Sequence, residues 1–168
     1  MSRIGQRLPN PEEIRMSALL PSVIDGYDIG RDPSQPLAAL AGFYRAFNQR
    51  DMDAMALNWA NHEEVSMSNP LGGIARGWPA IRAVYERIFG GNARVQVAFH
   101  DYTLHETADL FYAVGREHGS LESGNTKLEL SIRTSRLYRR INGTWQQVHH
   151  HGSFEDPDLF AAYREAVR

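Results

Sequence analysis

The sequence predicts an α+β domain in which helices pack on one face of an antiparallel sheet. Three observations support this fold class. Apolar residues recur at helical spacing in the first half of the chain, and they alternate with other residues in the second half. The dipeptide Asn142-Gly143 indicates a tight hairpin between two of the predicted strands. Helices followed by a run of antiparallel strands are typical of an α+β layout.

Three helices are predicted between residues 34 and 91. The first is amphipathic and carries its apolar residues at Leu37, Leu40, Ala41, Tyr44 and Phe47. Asp51 can cap a second, short helix that runs toward Trp59. The third helix begins near Pro79, a residue favoured in a first helical turn, and Gly90-Gly91 ends it.

Strand patterns follow the helices. A brief strand is predicted at residues 65–70, before a glycine loop at residues 71–73. Three or four long strands are predicted from about residue 93 to residue 154, because apolar residues there alternate with others. Asp156-Pro157 then indicates the start of a last short helix.

These patterns divide the chain into three parts. Residues 1–33 are predicted to be an N-terminal extension that lies on the domain or on a partner subunit. Asn10-Pro11-Glu12-Glu13-Ile14 gives it a short helical signal, and later prolines and glycines stop that helix early. Residues 34–154 form the predicted domain, and residues 155–168 form a short C-terminal helix.

Composition narrows the classes of function. The length of 168 residues suits one domain, and a net charge of -2 gives no reason to expect nucleic acid or an anionic membrane surface as a partner. The absence of cysteine excludes disulfides and thiolate catalysis. No apolar stretch approaches the roughly 20 residues that span a bilayer. We therefore expect a cytoplasmic protein without a cofactor.

Three segments resemble the nuclear transport factor 2-like superfamily. They are residues 43–51, residues 69–81 with Asn69-Pro70 and Gly77-Trp78-Pro79, and the hairpin at residues 135–153. The superfamily includes ketosteroid isomerase, scytalone dehydratase, SnoaL-like polyketide cyclases and the association domain of calcium/calmodulin-dependent kinase II. The resemblance covers about residues 36–154. It implies a cystatin-like cone, in which about three helices close a curved, mixed or antiparallel sheet around a pocket.

The resemblance does not extend to steroid-isomerase chemistry. That reaction needs a carboxylate base, with a phenol and a protonated acid to hold the oxygen of the dienolate. At the matching positions this chain has Asn69 for the base, Phe43 for the tyrosine and Arg136 for the second acid. All three groups are absent, so ketosteroid isomerase activity is not expected.

Two arginines carry the main functional expectation. The resemblance to the kinase association domain implies that Arg116 and Arg136 line the pocket and bind an anionic ligand, most simply a carboxylate. A guanidinium fork suits that group because it offers two parallel hydrogen bonds and stays charged. The alternative is that both arginines pair with acids of the sheet, such as Glu117 or Glu129.

Strand alternation adds further candidates for the pocket. Residues two apart share a face, so His149 and His151 are placed with Arg136 as donors of hydrogen bonds or as groups for proton transfer. No metal site is expected, because consecutive histidines of a strand cannot all face one ion. The remaining ligand-binding candidates are Asn69, Trp59, Tyr112, Tyr138 and Phe43. Asn69 has an alternative role in the turn before Pro70, and the aromatic residues have an alternative role in the core.

Two functions from different classes follow. The first is binding of a small, acidic organic molecule in the cone, with cyclase, isomerase or dehydratase chemistry as an open question. The alternative is a non-catalytic association module. It is favoured by the kinase-domain resemblance and by Leu137 and Val148 on the predicted outer face, which suit a homodimer through the convex side of the sheet.

Overall fold

A computed structural model of the chain describes residues 21–27, 30, 32 and 34–168. Within these residues the helices are α1 (Pro36–Gln49), α2 (Met52–Asn58), α3 (Trp78–Gly90) and α4 (Pro157–Ala166). The strands are β1 (Val23–Ile24), β2 (Ser66–Ser68), β3 (Ile74–Arg76), β4 (Arg94–Glu106), β5 (Leu110–Ser123), β6 (Thr126–Ile141) and β7 (Thr144–Phe154). The helix signal predicted at residues 10–14 lies outside the described residues.

One curved, open sheet joins the strands in the order β1-β4-β5-β6-β7-β2-β3. All neighbouring pairs are antiparallel except β2 and β7, which are parallel. This arrangement confirms the predicted α+β class and the cystatin-like fold. No helix in the described part of the chain has the length and apolarity needed to cross a membrane.

The helix signals read from the sequence are confirmed in the structure. Helix α1 begins at a proline and ends at Arg50, which adopts a left-handed conformation. Asp51 caps α2, because its carboxylate accepts a hydrogen bond from the backbone N–H of Ala54 at 2.9 Å. Helix α3 has proline in its first turn and is followed by Gly91.

The core lies between the helices and the concave face of the sheet. It is rich in aromatic residues, and Phe43, Tyr44, Trp59, Phe99 and Phe111 are each at most 2% exposed. Phe43 and Tyr44 of α1 meet edge to face, with their ring centroids 5.2 Å apart. This packing holds α1 against the sheet and fixes the position of the polar groups beneath it.

Two short edge strands extend the sheet beyond the sequence prediction. β1 pairs with β4, so part of the predicted N-terminal extension lies on the domain. β3 pairs with β2, where the sequence predicts only the glycine loop and the start of the third helix. Strands of two and three residues give period-2 alternation too little length to be detected.

Two hairpins set the register of the long strands. The loop Gly124-Asn125 joins β5 to β6 and places Ser123 opposite Thr126. The predicted hairpin at Asn142-Gly143 is confirmed, with φ values of 51° and 83° that suit a two-residue turn. The register of β6 and β7 then shifts between Leu137 and Tyr138, because β7 contains an extra residue there. This shift decides which histidines face the core.

Candidate functional site

A buried ion pair lies at the centre of the concave face. Arg136 of β6 donates a hydrogen bond from Nη2 to Oε1 of Glu117 on β5, at 2.7 Å, and the two side chains are 2% and 7% exposed. Tyr44 of α1 links them, because its hydroxyl donates to Oε1 of Glu117 at 3.0 Å and accepts from Nε of Arg136 at 3.2 Å. A helix and two strands therefore converge on one charged pair.

Two further contacts hold the Arg136 guanidinium. Oε1 of Gln147 accepts from Nη1 at 3.1 Å, and Cζ lies 3.3 Å from the centroid of the Phe43 ring. Burial alone would lower the pKa of Arg136, but the nearby Tyr44 and Glu117 raise it, and the net shift is upward. Burial, followed by the charge of Glu117, raises the pKa of Tyr44 well above its usual value. At neutral pH Arg136 is charged and Tyr44 is a hydrogen-bond donor.

A cavity of about 690 Å³ opens beside this pair. Its polar end contains Glu117, Arg136 and His150. Apolar side chains from α1, α3, the loop after β2 and the strands line much of the rest, and they include Phe43, Phe47, Met67, Leu71, Val84, Ile88, Val95 and Val97. A volume of this size suits a small organic molecule, for which pockets of about 300–1,000 Å³ are usual.

His150 is the histidine that faces this cavity. It lies opposite Arg136 in the sheet register and is 5% exposed. Its Nδ1 atom has no hydrogen-bond partner among the described residues. Burial, and then the charge of Arg136, hold the pKa of His150 well below its usual range, so the ring is neutral at pH 7. Gly152 leaves space beside the ring, because a Cβ at position 152 would lie 3.2 Å from its Nε2 atom.

The polar end has unused hydrogen-bonding capacity. A guanidinium has five N–H groups, and Tyr44, Gln147 and Glu117 accept from three of those of Arg136. The Tyr85 hydroxyl lies beside the same guanidinium as a further partner. Oε1 of Glu117 accepts two hydrogen bonds, whereas no described residue donates to its Oε2. These atoms offer donors and acceptors to a bound molecule. Because the charges of Arg136 and Glu117 balance, this end of the cavity has no net charge.

The expectation that Arg116 lines the pocket is wrong. Arg136 lies opposite Ala113, and residues opposite each other in an antiparallel pair share a face. Arg116 is three residues from Ala113, so alternation places it on the other, convex face. There its side chain is 39% exposed and forms ion pairs with Asp101 and Glu155. The sequence alternative also paired Arg116 with acids, although it named other ones. Tyr112 lies on the same convex face and is 38% exposed.

The expected positions of His149 and His151 are also wrong, because of the extra residue in β7. Without it the hairpin turn would place His149 opposite Arg136, as the alternation predicted. The shift instead places His150 there. His149 accepts or donates a hydrogen bond at Nδ1 with the Ser66 hydroxyl at 2.8 Å, and His151 is exposed. Burial and then His151 lower the pKa of His149.

The other predicted site residues divide between cavity and core. Phe43 lines the cavity beneath Arg136, and Asn69 lines it while its Oδ1 accepts from the backbone N–H of Leu71 at 2.8 Å. Trp59 and Tyr138 lie in the core. Trp59 stacks on Trp78 with ring centroids 6.4 Å apart, and Tyr138 stacks on Phe111 at 4.5 Å. No group of three or more acidic or histidine side chains in the described residues is placed to hold a metal ion.

Tyr44 and His150 were not predicted as site residues from the sequence, and Glu117 was named only as an alternative partner of the two arginines, which is the pairing that Arg136 forms. A signal for Glu117 was present, because Gly124-Asn125 is a two-residue hairpin loop that fixes the pairing of β5 and β6. Counting back from that loop places Glu117 on the same face as Arg136. No sequence signal marks the extra residue of β7, so His150 was not predictable in this way.

Comparison with known proteins places this geometry in a family. Residues 37–157 match the sequence model described as a SnoaL-like domain. No curated protein matches the chain. Among solved structures, a candidate calcium/calmodulin-dependent protein kinase type II association domain from Thiobacillus denitrificans is 27% identical, with a TM-score of 0.60. The match covers 73% of this chain and 96% of that one.

Two other solved structures share the fold at lower identity. A candidate dehydratase of the NTF2-like family from Streptomyces avermitilis is 18% identical, with a TM-score of 0.63, and the match covers 68% of this chain and 90% of that one. A ketosteroid isomerase-like protein from Erwinia carotovora atroseptica is also 18% identical, with a TM-score of 0.61 and coverage of 77% and 100%.

Proposed function

Because the chain belongs to the SnoaL-like domain family of the nuclear transport factor 2-like superfamily, we propose that its cavity binds a small organic molecule. The observation that supports this is the Arg136–Glu117 pair, which is buried and yet has free hydrogen-bonding atoms beside a cavity. A carbonyl or hydroxyl group of the ligand would meet these atoms. The apolar part would contact side chains such as Phe47, Val84 and Ile88.

At the Arg136–Glu117 pair, an uncharged group of the ligand fits better than the carboxylate expected from the sequence, although Arg87 and Arg168 also line the cavity. That expectation needed two inward-facing arginines, whereas Arg116 lies on the convex face and Arg136 is already neutralised by Glu117 at 2.7 Å. A ligand carboxylate at the polar end would be buried close to the Glu117 carboxylate, and a buried charge without a partner of its own is costly. A carbonyl or hydroxyl group avoids this repulsion.

The same groups support proton transfer next to a carbonyl group. Isomerases and dehydratases are common in this fold, and both kinds of enzyme move a proton beside an electron-withdrawing group. The neutral His150 ring can accept that proton, and Arg136 can donate hydrogen bonds to the carbonyl oxygen as negative charge develops there. We therefore also propose that the protein removes a proton from the carbon next to the ligand carbonyl. The rate at which these ligand protons exchange for deuterium would measure this proton transfer.

Acetylnaphthalene, naphthoate and naphthalene make a matched set of probes, because they share one ring system and differ in the polar group. We expect acetylnaphthalene to raise the melting temperature of the protein more than either of the others, since its carbonyl oxygen can accept from Arg136 without opposing Glu117. The measurement is thermal unfolding at increasing probe concentration, supported by titration calorimetry.

Replacing Val84 by tryptophan tests whether the probes enter the cavity. Val84 lines the cavity, so the larger ring should fill it and abolish the stabilisation. Leu57→Trp is the control, because Leu57 is 78% exposed on α2 and does not line the cavity. If no probe binds the wild-type protein, the binding proposal is wrong. If naphthoate binds best, the ligand is an anion, as the sequence first suggested.

A homodimer through the convex face of the sheet is the second proposal. Tyr112 and Val114 are 38% and 47% exposed there, and Leu137 lies directly opposite Tyr112 in the register. Exposed apolar side chains that cluster on a sheet favour association with another chain. A stable interface needs more than about 1,000 Å² of buried surface, so neighbouring residues of β4 to β7 would also be covered.

Replacing Val114 by lysine should convert such a dimer to a monomer, because the change buries an unpaired charge in the interface. The measurement is light scattering after size-exclusion chromatography at several protein concentrations. Leu57→Lys is the matched control, since it makes the same kind of change on an exposed helix position. A wild-type protein that is monomeric at all concentrations would rule out the association proposal and leave ligand binding untouched.

A further inference from the structure

Helix α4 forms one side of the cavity. It begins at Pro157, after a cap formed by the Asp156 side chain. Phe154 at the end of β7 packs against the rings of Phe160 and Tyr163, with ring centroids 5.8 and 5.1 Å apart. These contacts orient the helix so that Tyr163 turns toward the concave face of the sheet.

Several cavity-lining residues come from α4 and the residues that directly follow it, namely Tyr163, Ala166, Val167 and Arg168. The sequence predicts this segment to be a short helix outside the domain. The family match ends at residue 157, so none of the four lies within it. The family match therefore does not cover the part of the cavity wall that α4 and the residues after it supply.

Tyr163 is one of the residues of this wall, and its side chain carries a phenol hydroxyl. No described residue forms a hydrogen bond with that hydroxyl. Burial, and then the charge of Glu117, raise the pKa of Tyr163 to about 12, so it is protonated at neutral pH. The hydroxyl is thus a donor without an acceptor, and Oε2 of Glu117 is an acceptor without a donor. Both groups line the same cavity, and they are not bonded to each other.

We propose that the Tyr163 hydroxyl donates a hydrogen bond to the polar group of the bound molecule, which makes Tyr163 a specificity-determining residue supplied by α4. This inference rests on the proposed binding function. It adds that the ligand oxygen is held from two sides, by Arg136 of the sheet and by Tyr163 of the helix. A ligand with the same apolar ring and no oxygen gains nothing from Tyr163.

The position can be altered without loss of the fold. None of the α4 residues is fully buried, and the helix packs on the sheet through a few partly exposed side chains. Replacing Tyr163 by phenylalanine keeps the ring contact with Phe154 and removes only the hydroxyl. Thermal unfolding of the free variant should therefore match that of the wild-type protein.

The test compares acetylnaphthalene and naphthalene by titration calorimetry. Tyr163→Phe should weaken acetylnaphthalene binding about fivefold, which corresponds to the loss of one hydrogen bond, and should leave naphthalene binding unchanged. Tyr163→Ala should weaken the binding of both probes, because the aromatic wall is lost. Tyr27→Phe is the matched control. It removes the same group from a side chain that is 57% exposed and does not line the cavity, and it should change neither affinity.

The outcomes separate this inference from the function on which it rests. If the wild-type protein binds acetylnaphthalene and Tyr163→Phe binds it equally well, the role of Tyr163 is overturned and the binding function stands. An equal loss for both probes in Tyr163→Phe also overturns it, because the ring position and not the hydroxyl would then be responsible. If the wild-type protein binds no probe, both the function and this inference are overturned.

Discussion

Replacing Arg136 by methionine is expected to lower the free energy of unfolding by about 3–5 kcal/mol. The variant would leave the Glu117 carboxylate buried without its cation, and breaking a buried pair by removing one partner has a cost of this size. Tyr44 would still donate to Oε1 of Glu117, but a single neutral donor does not compensate a buried charge. Urea denaturation measures the change, and the slope of the transition should stay constant.

A second substitution should recover part of this loss. In the double variant Arg136→Met with Glu117→Gln, no unpaired charge remains, and the amide oxygen can still accept from the Tyr44 hydroxyl. The double variant should therefore be more stable than Arg136→Met alone. That non-additive result is the signature of direct coupling between the two residues.

Arg116→Met is the matched control, because Arg116 carries the same group on the adjacent strand in exposed ion pairs with Asp101 and Glu155. Exposed pairs contribute little to stability, so this variant should unfold close to the wild type. If Arg136→Met were no more destabilising than Arg116→Met, the Arg136–Glu117 pair would not be the buried interaction that the structure shows.

The buried pair also bears on function. Two well-packed apolar side chains often stabilise a core as much as a buried ion pair does, so stability alone is a weak reason for Arg136 and Glu117 to occupy the concave face. The pair does, however, provide a fixed polar group in a cavity that is also lined by many apolar side chains. A fixed guanidinium and carboxylate can orient a ligand without reorganising when it binds. Ligand recognition is therefore the role that we propose for the pair.

Most of the fold could be predicted because its signals are local. The Asp51 cap, the proline near the start of α3 and the turn at Asn142-Gly143 each specify backbone geometry within a few residues, and all three are confirmed. The sheet order is not local. The family resemblance, which covered three short segments, implied a curved, mixed or antiparallel sheet but no strand order.

The site was predicted less well because it depends on which residues of neighbouring strands share a face. Arg136 was expected to face the pocket and does. Arg116 and Tyr112 lie on the face opposite to the predicted one, because the Gly124-Asn125 hairpin pairs Arg136 with Ala113. A shift of one residue moves every side chain of a strand to the opposite face.

The histidines show a different limit of sequence reasoning. The turn at Asn142-Gly143 correctly predicts that Gln147 lies opposite Tyr138. An extra residue in β7 then replaces His149 with His150 opposite Arg136. The extra residue, Val148, directly precedes the segment of β7 that pairs with β2. The three consecutive histidines fit equally well in either register.

Replacing His150 by glutamine is expected to reduce proton exchange at the methyl group of acetylnaphthalene by at least about a hundredfold. The amide fits a similar space but cannot act as a base, and a positioned general base contributes about a hundredfold or more to such a step. Exchange in deuterium oxide is followed by proton NMR. His151→Gln is the matched control, because His151 is exposed and lies outside the cavity, and it should leave the rate unchanged.

The low pKa of His150 fixes how the exchange and the stability depend on pH. Since the folded protein keeps this ring neutral below its ordinary pKa of 6.5, the exchange rate should not fall as the pH drops through 6.5. As the pH falls, His150 of the unfolded chain binds a proton at a higher pH than His150 of the folded protein does. The contribution of His150 to stability is therefore complete above pH 6.5 and decreases as the pH falls below it, by at most about 1.4 kcal/mol per pH unit.

His150→Gln should lose less stability than the wild type between pH 6.5 and pH 5, because glutamine does not titrate. Urea denaturation at several pH values measures this difference, and it does not require a ligand. If the wild type and the variant responded identically to acid, His150 would not be the buried neutral ring described above. If the acid response differed and the wild type showed no exchange, the cavity would bind its ligand without this chemistry. Stability and exchange thus report separately on the environment of His150 and on its use as a base.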